Sequence, residues 1–330
     1  MFRRRILACA VVGCAMLATA LAAHADTVIL RNGDRLSGKL LHKSGDVLTL
    51  KTDYAGTVGI RWSAIAAIST DAPVTLMLEG GDEITRAMIS SDGAGPPLER
   101  IVYINPRPEE SGRGVSYKGR VSLAATATRG NSSTQRLYGE AAFKARAKAY
   151  RYAMTGKIEN ASDSGDSTAS NWRLTGNYDH FIDGDQFAYG RVSLEHDRFK
   201  DIELRSTVGG GYGVQFIDTD STQLSLRGGL ELVSLDRSAG SDERYPALGW
   251  GLQFSHWLWD HTMEAFHDQD GYLDLEHTGQ VSLRTKTGLR IPLSSGMTAN
   301  VQANVDWESD PAPGRKATDS TWLLGLGYEW

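Results

Sequence analysis

The sequence is nearly free of cysteine: Cys9 and Cys14 are its only two. Both fall within MFRRRILACAVVGCAMLATALAAHA, which has a basic start at Arg3, Arg4 and Arg5, an apolar run from Ile6 to Ala23, and a small-x-small finish at Ala23-His24-Ala25. That pattern predicts a secretory leader over residues 1–25, cut before Asp26. The exported chain would carry no thiol, which excludes a disulfide framework and any thiolate metal site. A basic surplus is missing as well. Losing the leader takes three arginines from the 35 basic residues and leaves 32 against 40 acidic ones, a net charge of −8 with His neutral. Nucleic acid is therefore not an expected partner. After the leader no apolar run approaches the ~20 residues of a membrane helix.

Strict alternation is what the chain has instead. In the closing TWLLGLGYEW, Trp322, Leu324, Leu326, Tyr328 and Trp330 share one parity, and only Leu323 breaks the pattern on the other. Period two places the sets on opposite faces of a strand. Val121, Leu123, Ala125 and Ala127 alternate with Arg120, Ser122, Thr126 and Thr128. The register recurs through Trp172 to Tyr178, Ala188 to Leu194, Leu204 to Phe216, Leu224 to Leu232, Leu248 to Phe254, Val281 to Ile291, and Ala299 to Trp307. With weaker stretches near Tyr152 to Ile158 and Met263 to His267, this gives about twelve strands, an even number as in bacterial barrels.

The connections alternate between long and short. GNSSTQ, ENASDSGDSTAS, HDRFKDIE, DRSAGSDER, HDQDGYLDLEH and ESDPAPGRKATDS take turns with a tight turn near Lys148, IDGDQ, IDTDS, WLWDH and PLSSG. Short turns at one end and longer loops at the other are the rhythm of a closed up-and-down barrel. The polar parity carries Arg173, Arg205, Arg227, Arg284, Lys286 and Asn304, too many charges for a dry core. The apolar face should then meet lipid, and the charged face a lumen.

Before the barrel, INPRPEESGRG, Ile104 to Gly114, marks a linker placed at residues 106–116. Residues 26–105 ahead of it form a small β unit. DTVILRNGDRLSGKLL carries an Asn32-Gly33 hairpin signal, VTLMLEGGDEITRAMI repeats the scheme around Gly80-Gly81-Asp82, and Ile65 to Ile68 echoes Ile101 to Ile104. The expectation is an all-β chain: a small SH3-like or Sm-like domain, then a transmembrane barrel over 117–330.

RGNSST, LRSTVGGGYGVQFIDTD, DWESDPAPGRKATDSTWLLGLGYEW, DTVILRNGDRLSGKLL and YAGTVGIRW together resemble the YdiY-like family of salt-induced outer membrane proteins. The resemblance implies an outer-membrane barrel linked to salt or osmotic stress, with no catalytic residues to carry over.

The function expected is non-enzymatic: a narrow channel for small solutes or ions, or else a structural envelope protein with a side-chain-filled barrel. Twelve strands enclose more than eight do and less than a general porin. The candidate lumen residues are Arg146, Arg173, Arg191, Arg205 and Arg227, with Glu140, Glu195, Glu231, Asp179 and Asp306 on the same parity. A barrel-wall lipid hydrolase is the rival from another class, but adjacent Ser255 and His256 point to opposite faces and cannot form a dyad. HDQDGYLDLEH is acidic, yet Gly271 is misplaced for an EF-hand, so no metal or other cofactor is expected. Trp322, Tyr328 and Trp330 should anchor at the membrane interface. Expected partners are outer-membrane lipid and lipopolysaccharide, the outer-membrane assembly machinery reading the C-terminal strand, and an unidentified periplasmic partner of residues 26–105. Both the small domain and the C-terminus should lie in the periplasm.

Overall fold

A computed structural model describes residues 25–80, 83–89, 95–129, 133–259, 261–277, 279–311, 314 and 316–330. The expected leader, apart from Ala25, lies outside them, as do Gly81 and Asp82 of the second expected turn. The chain divides into two units, one ending at Ile104 and the other running from Asn105 to Trp330.

The first unit holds eight strands: β1 (Asp26–Leu30), β2 (Arg35–Ser44), β3 (Val47–Thr52), β4 (Gly56–Arg61), β5 (Ile65–Ser69), β6 (Val74–Leu78), β7 (Glu83–Ala87) and β8 (Ile101–Ile104). They form one sheet in the order β4-β3-β2-β8-β6-β7, with β1 pairing β2 and β5. The sequence echo is a structural one. β1 makes a hairpin with β2 and pairs again with β5, while β6 makes a hairpin with β7 and pairs again with β8. A single 3₁₀ turn precedes each closing strand, Trp62–Ala64 and Leu98–Arg100. Gly33 sits at φ +92° in the first hairpin turn, a conformation that favours glycine. The inward parity supplies one apolar core including Val28, Leu48, Leu50, Leu76 and Ile104.

In the second unit the expected linker contains one helical turn, α1 (Pro108–Ser111), closed by Gly112 in the left-handed conformation. Twelve antiparallel strands follow: β9 (Ser116–Ala127), β10 (Thr134–Arg146), β11 (Tyr150–Asp163), β12 (Asp166–Asp183), β13 (Gln186–Asp197), β14 (Ile202–Asp218), β15 (Thr222–Asp236), β16 (Glu243–Leu258), β17 (Met263–Asp274), β18 (Val281–Pro292), β19 (Met297–Glu308) and β20 (Thr318–Glu329). Each pairs with its neighbours in sequence, and β20 returns to β9, so the barrel is closed.

Two expected loops are strand. ENASDSGDSTAS continues β11 and β12 out to a tight turn at Ser164-Gly165. HDQDGYLDLEH lies largely in β17, and only residues 275–280 connect it to β18. Asp270 is therefore a wall residue rather than a loop residue. Both segments place polar residues on both faces over much of their length, which blurs the alternation that marks a strand while leaving the backbone free to pair.

Candidate functional site: the charged lumen

The barrel wall inverts the usual distribution of residues. Leu123, Leu230, Leu232, Trp322 and Leu324 face outward and are more than half exposed. Arg151, Asp179, Glu195, Arg205 and Glu231 face inward and are buried. Strands turn apolar side chains to the outside and charges to the inside only when the outside is hydrocarbon, and a closed barrel is the one sheet that leaves no edge unpaired there. The unit is a transmembrane barrel.

The inner face is braced across its middle by ion pairs. Glu195 on β13 receives Arg173 from β12 at 2.7 Å, Arg205 from β14 at 3.3 Å, and Arg284 from β18, on the far side of the lumen, at 2.7 Å. Asp306 on β19 meets Arg173 at 3.8 Å and Lys200, from the connection after β13, at 3.4 Å. A second group centres on Asp270, which takes Arg191 at 3.1 Å and Arg227 at 3.2 Å, while Arg191 also reaches Glu231 at 3.6 Å. A third joins Glu140 on β10 to Lys286 on β18 at 2.7 Å and to Arg120 on β9 at 3.7 Å, with the Tyr138 hydroxyl donating to the same carboxylate at 2.8 Å. Isolated charges in such a space would be costly, and Glu195, Asp306, Asp270 and Glu140 are each held by two or three cations instead.

Apolar groups gather inside the wall toward each end. Phe181, Phe187 and Tyr189 cluster near the short turn between β12 and β13. Val233, Tyr245, Ala247 and Tyr272 cluster at the long-loop end of β15 to β17. The space left among the charges is a cavity of about 170 Å³, lined by Tyr138, Lys157, Arg173, Glu195, Asp270 and Asp306 among others.

Of the sequence candidates, Arg173, Arg191, Arg205, Arg227, Glu140, Glu195, Glu231 and Asp306 meet in these networks. Asp179 faces inward too, but pairs with Arg151 at 2.6 Å near the short-turn end. Arg146 stands apart. It stacks on the Phe181 ring, 3.3 Å from guanidinium carbon to centroid, and has no ion pair among the described residues. Sequence reasoning missed Asp268 and Asp270 by reading their strand as a loop. It also missed Lys200, because a loop lysine that bends inward leaves no periodic mark. Ser255 and His256 do point apart, and the His256 ring is hydrogen-bonded to the Thr222 hydroxyl at 2.7 Å on the outer face. Among the described residues no group of three or more His, Cys, Asp and Glu side chains could hold a metal ion.

Trp322 and Trp330 stand well exposed on the outer face, and the Tyr328 and Trp330 rings stack with centroids 6.0 Å apart.

The model of the family described as protein of unknown function, DUF481, matches residues 121–330, almost the whole barrel. No curated protein matches the chain. Among solved structures it is similar to the translocator domain of autotransporter NalP from Neisseria meningitidis, at 16% identity over 65% of this chain and 88% of that one, with TM-score 0.37. It is similar to the NanC porin at 10% identity over 64% and 99%, TM-score 0.40. It is also similar to the anion-selective porin from Comamonas acidovorans at 10% identity over 66% and 99%, TM-score 0.31.

Proposed function

Because the chain belongs to the DUF481 family, we propose a role drawn from its barrel: a non-enzymatic outer-membrane protein whose lumen is closed by ion pairs, serving the envelope as a braced wall element. The contact of Glu195 with Arg284 carries this reading. It ties β13 to β18 directly through the lumen, where an open pore would need a clear passage. Fixed pairs of opposite sign resist displacement by a passing ion more than an unpaired ring of charge does. The small β unit, joined through residues 105–115, is then a docking module for a periplasmic partner, with the chain's end on the same side of the membrane.

A second reading, a narrow anion-preferring path, has one observation in its favour. Lys144, Arg146 and Lys157 face inward and form no ion pair among the described residues, which leaves a cationic surplus along β10 and β11. Conductance in planar bilayers separates the two. A closed wall element gives no steady open steps in dilute or concentrated salt. Reproducible steps with anion preference would replace the first reading by the second.

A further inference from the structure

The first and last barrel strands meet over a short length. β20 pairs with β9 at Leu326 with Leu123, Gly327 with Ser122, Tyr328 with Val121 and Glu329 with Arg120. Trp330 and Gly119 then exchange backbone hydrogen bonds beyond them. Other neighbours run in register over most of their length, as β10 with β9 from Ser116 to Ala127 and β19 with β20 from Met297 to Trp307. The seam thus stops at Leu326 although both strands continue. Among the described residues, 124–127 of β9 and 320–325 of β20 stay extended, each paired on its far side only. No strand pairing among the described residues joins the two stretches beyond Leu326, although Gly325 still lies close against Leu123 and Ala124.

Free strand edges at membrane depth are tolerated only where protein covers them or where they line a polar path. The side chains at this seam indicate which. Leu123, Trp322 and Leu324 face outward and are among the most exposed apolar residues of the wall. Leu323, the residue that breaks the alternation, turns inward and is buried. Behind the seam Arg136 reaches from β10 past β9 and donates to the Thr321 hydroxyl on β20 at 3.2 Å, while it also pairs with Glu159. An apolar lip outside, an apolar side chain in the opening and a cation behind it form a sequence of environments that suits a molecule with a hydrocarbon tail and an anionic head.

We propose that the unzipped half of the β9–β20 seam is a lateral port for an amphiphile of the anionic phospholipid class, its head held at Arg136 and Thr321 and its acyl chain left in the bilayer. The Arg136–Thr321 hydrogen bond is the latch that the head displaces. A strand added from a second chain would also satisfy the free edges, but it would seal the opening and give Arg136 no task. The proposal rests on the barrel being embedded in a membrane, and it does not require the lumen to conduct.

The test uses the full chain with Cys9 and Cys14 replaced by serine, folded into vesicles of phosphatidylethanolamine and phosphatidylglycerol. Heat-modifiable migration on gels reports separately that the barrel is folded. Continuing the register places Ala125 opposite Leu324, so Ala125→Cys with Leu324→Cys probes the open half, and Leu123→Cys with Leu326→Cys probes the zipped half. The open pair should oxidise about tenfold or more slowly, since cysteines on unpaired strands bridge only after backbone movement. Equal rates would mean a zipped seam and would overturn the port. Disulfide-linked dimers through Ala125→Cys would show strand addition by a second copy and overturn it equally. Phosphatidylglycerol bearing a photoreactive acyl chain should give adducts at inward Leu323 and Thr321, lost when a bismaleimide staples the open pair. Adducts confined to outward residues, stapled or not, would count against it. Arg136→Gln leaves the backbone untouched and should lower the inward adducts of phosphatidylglycerol relative to phosphatidylcholine; an unchanged ratio removes the head-binding role.

Discussion

Trp330 lies flat over Gly119. The two residues exchange backbone hydrogen bonds at 3.0 and 3.1 Å, and a Cβ built on Gly119 would stand 2.1 Å from the indole ring. The last residue of the chain is thus seated on the first barrel strand, and the seat exists because residue 119 has no side chain. Gly119→Val should impair assembly about as much as deleting Trp330, since both remove the terminal clasp. Gly156→Ala, whose added Cβ would make only ordinary contact with Leu174 at 3.8 Å, should assemble normally. Yield of heat-modifiable protein in the membrane compares the three, and a wild-type yield for Gly119→Val would refute the clasp.

Glu195 is the most heavily bonded acid of the lumen. Glu195→Gln keeps the shape and leaves Arg173, Arg205 and Arg284 facing one another. Breaking a buried ionic cluster from one side costs about 3–5 kcal/mol, so the urea midpoint of the folded barrel in vesicles should fall markedly. Pairing the change with Arg284→Met should recover part of the loss. A double variant whose loss equals the sum of the two single losses would show that the two residues act independently.

The ends of the barrel can be told apart by thiol labelling on intact cells in the cysteine-free background. Ser238 lies in the connection after β15 at the long-loop end, and Asp183 lies at the short-turn end of β12. An impermeant maleimide should label Ser238→Cys and spare Asp183→Cys. Asp270→Cys, on the lumen wall between Arg191 and Arg227, should label slowly from either side. Labelling of Asp183→Cys alone would invert the orientation.

Lys43 of the first unit is buried, with its ammonium donating to the carbonyls of Ile101 at 2.9 Å and Val102 at 2.5 Å and standing 4.7 Å from the Trp62 ring centre. Burial pushes its pKa below the ordinary 10.5, against an opposing pull from Asp46. A base with a lowered folded-state pKa is protonated more in the unfolded chain. The stability of the unit should therefore rise with pH between the lowered value and 10.5, and Lys43→Met should flatten that rise. Carbon-13 titration of the Lys43 side chain measures the shift directly, and a midpoint at or above 10.5 would be the contrary result.

The strands were legible wherever lipid imposes apolar residues on one parity, as at Leu224 to Leu232 and Ala299 to Trp307. The reading failed where that demand lapses. β17 shows His267, Gln269 and Gly271 outward against Asp268 and Asp270 inward, so neither face announces itself. The hairpin tip at Ser164-Gly165 is small and polar throughout and looks like a loop. Arg173 and Glu195 lie on the charged, inward parity of β12 and β13, where they meet each other at 2.7 Å. Nothing in the sequence says that Glu195 meets Arg284, because the strands facing each other across a barrel depend on its closure and tilt. Leu323 is the instructive exception. Its break in alternation was visible from the start, and it falls on the stretch of β20 where pairing with β9 stops.

The pairing of charges in the lumen also bears on how the barrel meets an electric field. Glu195, Asp270, Glu140 and Asp306 are each matched at short range by cations fixed to other strands. A voltage applied across the membrane acts on such a pair mostly as torque on a short dipole, and the forces on its two ends nearly cancel along the axis. The paired groups of the middle layer therefore carry little gating charge to move, and a change of membrane potential should shift them little.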